Sequence, residues 1–87
     1  MDVQQTVAGI LAGEIHVEVP PHKMRPEDSL RDIYGLDSIG FVELRVQCED
    51  TFGIVITDDE FAPDNFATLG SVVTLVEDKV RALSTAR

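Results

Sequence analysis

The feature that most constrains this chain is an apolar stripe near its C-terminus. Leu69, Val72, Val73, Val76, Val80 and Leu83 recur at three- and four-residue steps. That is the period of one face of an α-helix, whereas the faces of a strand alternate at every second residue. Thr68 stands where a helix cap belongs, and Arg81 and Arg87 fall late in the segment, where cations suit the helix dipole. A helix of this kind is held mainly by burial of its stripe, so the rest of the chain must supply elements to pack against it.

Two further segments share the period. Val3, Val7, Ile10 and Leu11 line one face of a first helix, expected to end near Ile15 to Val17. From Asp37 a second helix carries Ile39, Val42 and Val46 as its stripe, with Leu44 and Cys48 on the flank, until Phe52; Gly53 then closes it as a C-terminal cap. Between them, Pro20 and Pro21 forbid a helix, and the run from His22 to Ser29 follows neither period. This predicts a long loop pinned to the core by Leu30, Ile33, Tyr34 and Leu36. Loops of that length are uncommon unless functional. Ile54-Val55-Ile56 reads as a buried extended connector, because no second strand exists to pair with it. Thr57 and Glu60 form a capping box that opens a short helix limited by Pro63. The expected fold is all-α: one domain over residues 1–87, a four-helix bundle of three longer helices and one short, with the long loop between the first and second.

Composition narrows the function. At 87 residues the chain is too short for a doubly wound sheet with its own catalytic cleft, yet 44% apolar residues suffice for one core. Sixteen acidic residues against seven basic give a formal charge of −9, which repels phosphate backbones and anionic lipid. Basic partners are expected, and neither nucleic acid nor membrane. No apolar run is long enough to span a bilayer, and Met1-Asp2-Val3-Gln4-Gln5 lacks the positive start of a signal peptide. Cys48 stands alone, so no disulfide framework forms within the chain, as fits a reducing compartment. The expectation is a cytoplasmic monomer, since no heptad seam is evident.

No enzyme constellation survives the spacing tests. Ser38 has Gly40 two residues after it, but Leu36 stands where a nucleophile elbow needs a second glycine. His16 and His22 with Glu14 and Glu18 make no four-ligand metal set. Asp58-Asp59-Glu60 lacks the alternating ligands and central glycine of a calcium loop and reads as a helix start. Cys48, beside Glu49 and Asp50, reads as a small buried hydrophobe rather than a nucleophile. No catalytic and no metal-binding residue is assigned.

The surroundings of Ser38 are more informative. Gly35-Leu36-Asp37-Ser38-Ile39, followed by Gly40-Phe41-Val42-Glu43-Leu44, resembles the phosphopantetheine-attachment signature of the acyl carrier protein family. There Asp-Ser-Leu or Asp-Ser-Ile opens the second helix and Val-Glu-Leu follows. Phe52-Gly53-Ile54-Val55-Ile56, the acidic Thr57-Asp58-Asp59-Glu60-Phe61 and Phe66-Ala67-Thr68-Leu69 resemble later segments of that family in the same order, so the likeness covers nearly the whole chain.

The resemblance implies a carrier without turnover, of the free-standing type. Ser38 would hold 4'-phosphopantetheine as a phosphodiester, added by a phosphopantetheinyl transferase from coenzyme A with magnesium. Asp37 would orient the flank of that site or simply cap the helix; both readings stand. Ile39, Phe41 and Glu43 would meet partner enzymes, with core an equal reading for Phe41: the transferase, an acyltransferase or adenylating loading enzyme, and a ketosynthase or condensation enzyme. Eight acidic residues and only Arg45 as a base fall between Asp37 and Asp64; of these the resemblance makes Glu43 a partner contact, while Glu49 and Asp50 read as a solvated face. Gly40 and Phe41 depart from housekeeping fatty-acid carriers, which points to polyketide or mixed polyketide and nonribosomal peptide biosynthesis. The alternatives are a free-standing aminoacyl, peptidyl or fatty-acid carrier and, from other classes, an acidic helical interaction module without a prosthetic group or a small hydrolase built on Ser38.

Overall fold

Three short-range polar contacts set where the helices begin. In the computed structural model, which describes residues 2–85, these helices are α1 (Val3–Gly13), α2 (Ser38–Phe52) and α3 (Leu69–Thr85), with a 3-10 turn at Pro21–Lys23. Asp2 accepts from the Gln5 N–H at 3.2 Å and Asp37 from the Gly40 N–H at 2.8 Å. Thr68 and Ser71 exchange side-chain to backbone bonds of 3.0 and 3.1 Å. Each satisfies a donor that a helix start leaves without an internal partner. Arg87 lies outside the described residues.

α1 buries Val3, Val7, Ala8, Ile10 and Leu11 but stops at Gly13, before the expected end near Ile15 to Val17. His16 takes a left-handed φ of 65°, and the Val17 N–H turns back to the Leu11 carbonyl at 2.9 Å. Val17 therefore reaches the core through a turn.

The face that α2 buries is opposite to the one expected. Leu44 and Cys48 have no exposure at all, while Ile39 is 78%, Val42 51% and Val46 41% exposed. Phe41 and Phe52 pack partly against the core on the Leu44 side. Apolar residues lie on two opposite faces of this helix, so their period fits either one, and contact with α1 and α3 selects Leu44 and Cys48. On α3 the stripe is core through Val76 and half-buried at Val80, but Leu83 stands past the end of the core, exposed.

The long loop is anchored to the start of α3. Leu69 N–H donates to the Asp28 carbonyl at 3.0 Å, Gly70 N–H to the Pro26 carbonyl at 2.8 Å, and Leu30 N–H to the Ala67 carbonyl at 3.0 Å. Carbonyls of the loop thus serve α3 amides that have no partner inside the helix. The approach is so close that a Cβ at Gly70 would lie 3.0 Å from the Pro26 oxygen. Leu30, Tyr34 and Leu36 are buried anchors as expected, whereas Ile33 is exposed. Burial, together with the 2.9 Å bond its hydroxyl donates to Asp28, pushes the Tyr34 phenol well above its ordinary pKa.

Beyond α2, Ile54 and Ile56 are buried and Val55 is exposed, without any strand. The Thr57 and Glu60 box does form, at 2.9 and 3.2 Å, but the expected short helix does not. Two isolated helical bonds, Phe61 N–H to the Thr57 carbonyl at 2.9 Å and Phe66 N–H to the Ala62 carbonyl at 3.2 Å, lie within a run of turns. Pro63 has no N–H to offer residue 59, so the nucleus never propagates. Among the described residues the bundle thus has three α-helices, and the one short helical element is the 3-10 turn in the first connection. No helix among the described residues is long and apolar enough to cross a membrane.

Candidate functional site

Asp37 and Ser38 sit where the long loop passes into α2. Asp37 has extended backbone and closes the helix start, its side chain taking the Gly40 N–H and its carbonyl the Phe41 N–H at 2.9 Å. Gly40 suits this corner: a Cβ there would lie 3.2 Å from Cγ of the buried Leu36 and 3.5 Å from the capping oxygen of Asp37. The Asp37 carboxylate is therefore the helix cap.

Ser38 is the first residue of α2 and is exposed. Its hydroxyl has no hydrogen-bond partner among the described residues, and the N–H groups of Ser38 and Ile39 have no protein acceptor there. A free oxygen beside two free amides, at the positive end of a fifteen-residue helix, suits a covalently attached anionic group. Beside the serine lies a groove of about 590 Å³, walled by Phe41, Val42, Phe61, Pro63 and Phe66, with Arg31 and Asp32 on its polar side. This volume falls within the range of about 300–1,000 Å³ usual for small-molecule sites.

The other residues singled out in the sequence lie nearby. Ile39 projects from the first turn of α2 and, with Val42 and Val46, makes an exposed apolar row. Phe41 is half-buried, packing on the core while facing the groove. Glu43 is exposed and accepts from the Gln47 amide at 3.1 Å. Glu49, read as part of a solvated face, instead accepts the Ile56 N–H at 2.8 Å and so holds the connector. Burial, then the neighbouring Glu49, pushes the Cys48 thiol up to about 12, which leaves it protonated and inert. Among the described residues no three His, Cys, Asp or Glu side chains gather as a metal site.

Sequence reasoning missed Phe61, Phe66, Arg31 and Asp32 as neighbours of Ser38. Phe61 and Phe66 fall in an aperiodic segment, and their only local signal was large apolar side chains among turn residues. Chain reversal brings them opposite the start of α2.

Comparisons with known proteins agree with this geometry. The family model described as phosphopantetheine attachment site matches residues 5–76. The meromycolate extension acyl carrier protein of Mycobacterium leprae is 38% identical over 77 residues, covering 85% of this chain and 64% of that longer protein. An acyl carrier protein of Exiguobacterium sp. is 32% identical over 80 residues, 92% of this chain and 91% of the relative. The solution structure of a holo acyl carrier protein from Nitrosomonas europaea superposes with a TM-score of 0.80 at 29% identity, covering 93% of this chain and 99% of that one. Because the attachment-site family spans most of the sequence and an acyl carrier protein matches it nearly end to end, this chain belongs to the acyl carrier proteins, non-catalytic carriers of 4'-phosphopantetheine.

Proposed function

We propose that Ser38 is the attachment serine and that the chain presents acyl groups from this position to a succession of partner enzymes. The observation that carries this reading is the exposed Ser38 hydroxyl, without a partner among the described residues, beside two amides unused there and at the edge of an apolar groove. When bound, 4'-phosphopantetheine supplies a terminal thiol on which acyl groups are held as thioesters.

The residues of the chain bind and orient. The Ser38 and Ile39 amides are donors available to a phosphate on the serine oxygen. Asp37 is engaged by Gly40 and holds the serine at the first position of the helix, so removal of the Ser38 proton falls to the phosphopantetheinyl transferase. Ile39 and Phe41 offer apolar contact, and Glu43 offers charge to basic patches on the transferase, on an acyltransferase or adenylating loading enzyme, and on a ketosynthase or condensation enzyme. Gly40 and Phe41 beside the serine support a dedicated pathway of polyketide or mixed polyketide and peptide type. The meromycolate extension relatives support a second reading, carriage of fatty-acyl chains under elongation.

Incubation with coenzyme A, magnesium and a broad-range phosphopantetheinyl transferase tests the site. The wild-type chain gains the mass of one phosphopantetheine and Ser38→Ala gains none. A wild-type chain left unmodified while a control carrier is converted refutes the assignment. Offering the modified protein to polyketide acyltransferases and to fatty-acid elongation enzymes then separates the two pathways by which of them loads it.

A further inference from the structure

Carrier function as described leaves one side chain without a role. Arg45 is the only base among the acidic residues from Asp37 to Asp64, yet its side chain is just 21% exposed. The guanidinium donates to the Ile56 carbonyl oxygen and to Asp58 at 3.1 Å, and its carbon lies 5.0 Å from the centre of the Phe61 ring. Asp58 is 98% exposed, so that ion pair is screened and contributes little. Both bonds come from one nitrogen, Nη2, while the flat guanidinium lies over the ring, and a planar cation that donates from its edge as it covers a ring is arginine's geometry and not lysine's.

Phe61 in turn meets Phe66 edge to face, with ring centres 4.9 Å apart and planes at 90°. Both rings wall the groove that begins at Ser38. The same segment is tied from two other directions: Glu49 takes the Ile56 N–H at 2.8 Å, and Glu60 takes the Lys79 ammonium at 2.7 Å. Phe66 belongs to the core and Phe61 packs against it, a core in which Leu44, Cys48, Ile56, Leu69 and Val76 have no exposure. Phe61 therefore stands between the groove and a filled core, and Arg45 fixes where it stands.

We propose that Arg45 is a positioning residue that locks Phe61 as the inner wall of the Ser38 groove, so that an apolar cargo lies along the groove and is kept out of the space between α2 and α3. The proposal rests on Ser38 being the attachment serine. A chain passing beyond Phe61 would have to move the ring off both Arg45 and Phe66, giving up the cation–π contact and the edge-to-face pair. Cargo that fits the groove gains contact with Phe41 and Phe66. Further methylenes stay in water, which makes short acyl groups the class this site holds best.

The experiment uses the full chain modified at Ser38 with pantetheine bearing acetyl, hexanoyl or decanoyl groups. It reads the ring resonances of Phe61 and Phe66, the methyl resonances of Leu44, Val72 and Val76, and the melting temperature. In the wild type all three groups shift the rings, the interior methyls stay still, and melting gains nothing from hexanoyl to decanoyl. In Arg45→Met, which keeps the aliphatic stem, and in Phe61→Ala, the interior methyls shift and melting rises with length. Arg45→Lys keeps the charge without the planar face over the ring and behaves like Arg45→Met. Interior shifts growing with length in the wild type, or folded variants whose interior methyls never move, overturn the proposal; if Arg45→Met fails to fold, Phe61→Ala decides. In the unmodified protein, amide exchange at Phe61 quickens about tenfold in Arg45→Met, the effect of losing one charge-assisted hydrogen bond. Unchanged exchange overturns the lock whatever happens at Ser38. A wild-type chain that never gains the arm is seen by mass alone, and defeats the carrier reading while leaving the exchange result to stand by itself.

Discussion

Replacing Asp37 by alanine removes the 2.8 Å bond to the Gly40 N–H and leaves that amide to water. The site is exposed, so nothing buried is orphaned, and the expected loss is that of an ordinary helix cap, about 1 kcal/mol. Loss of a negative charge at the helix start adds about 0.3–1 kcal/mol. In a domain of this size each kcal/mol lowers the melting temperature by about 4–8 °C, so Asp37→Ala should melt roughly 5–15 °C below the wild type. Asp37→Asn keeps a cap acceptor and loses only the charge, so it should fall between the two. Urea unfolding followed by circular dichroism measures the midpoints, and an unchanged slope shows that only stability changed. The order wild type, Asn, Ala is the signature of capping; an alanine variant as stable as the wild type refutes the reasoning. The same proteins, offered to a phosphopantetheinyl transferase, separate the two roles of the carboxylate. A cap alone leaves Asp37→Asn modified at nearly the wild-type rate, whereas a carboxylate contacting the enzyme slows Asn and Ala alike.

Two other substitutions probe the frame around the site. Gly70→Ala gains about 1 kcal/mol of helix propensity, but its Cβ would sit 3.0 Å from the Pro26 oxygen that the Gly70 amide itself bonds. Crowding in packed structure typically costs about 1–3 kcal/mol, so the melting temperature should fall; a rise would show that the loop gives way freely. Glu60 is held below its ordinary pKa, first by the Lys79 ammonium and then by the Thr57 N–H. The folded protein therefore loses this proton more readily than the unfolded chain. The resulting stabilisation is complete above the unfolded carboxylate range, about pH 4.3, and fades as pH falls through the lower folded value. Glu60→Gln should lower the urea midpoint at pH 7 and converge on the wild type in acid. A constant gap between the two from pH 7 to pH 3 would contradict this.

Much of the site was legible because its signals are local. Asp37 at a cap, Thr68 with Ser71, and Thr57 with Glu60 form bonds across three residues, which sequence spacing alone can specify. The stripe of α3 was equally plain as far as Val80, because polar residues occupy its other faces. Local signals misled where a longer-range term prevailed. The Thr57 box is made, yet Pro63 and the ties from Arg45, Glu49 and Lys79 leave that segment as turns rather than a helix.

By itself, the order of residues determined an all-α chain, the position of Ser38 at the head of its second helix, and the acidity of that region. Only the tertiary structure decided which side of α2 is core, and so that Ile39, Val42 and Val46 face water while Leu44 and Cys48 do not. It alone brought Phe61 and Phe66 against the serine and placed Arg45 over one of those rings. The physical reason is that a helix carrying apolar residues on two opposite faces has no preferred orientation of its own. Its inner face is whichever one α1, α3 and the returning segment can cover together.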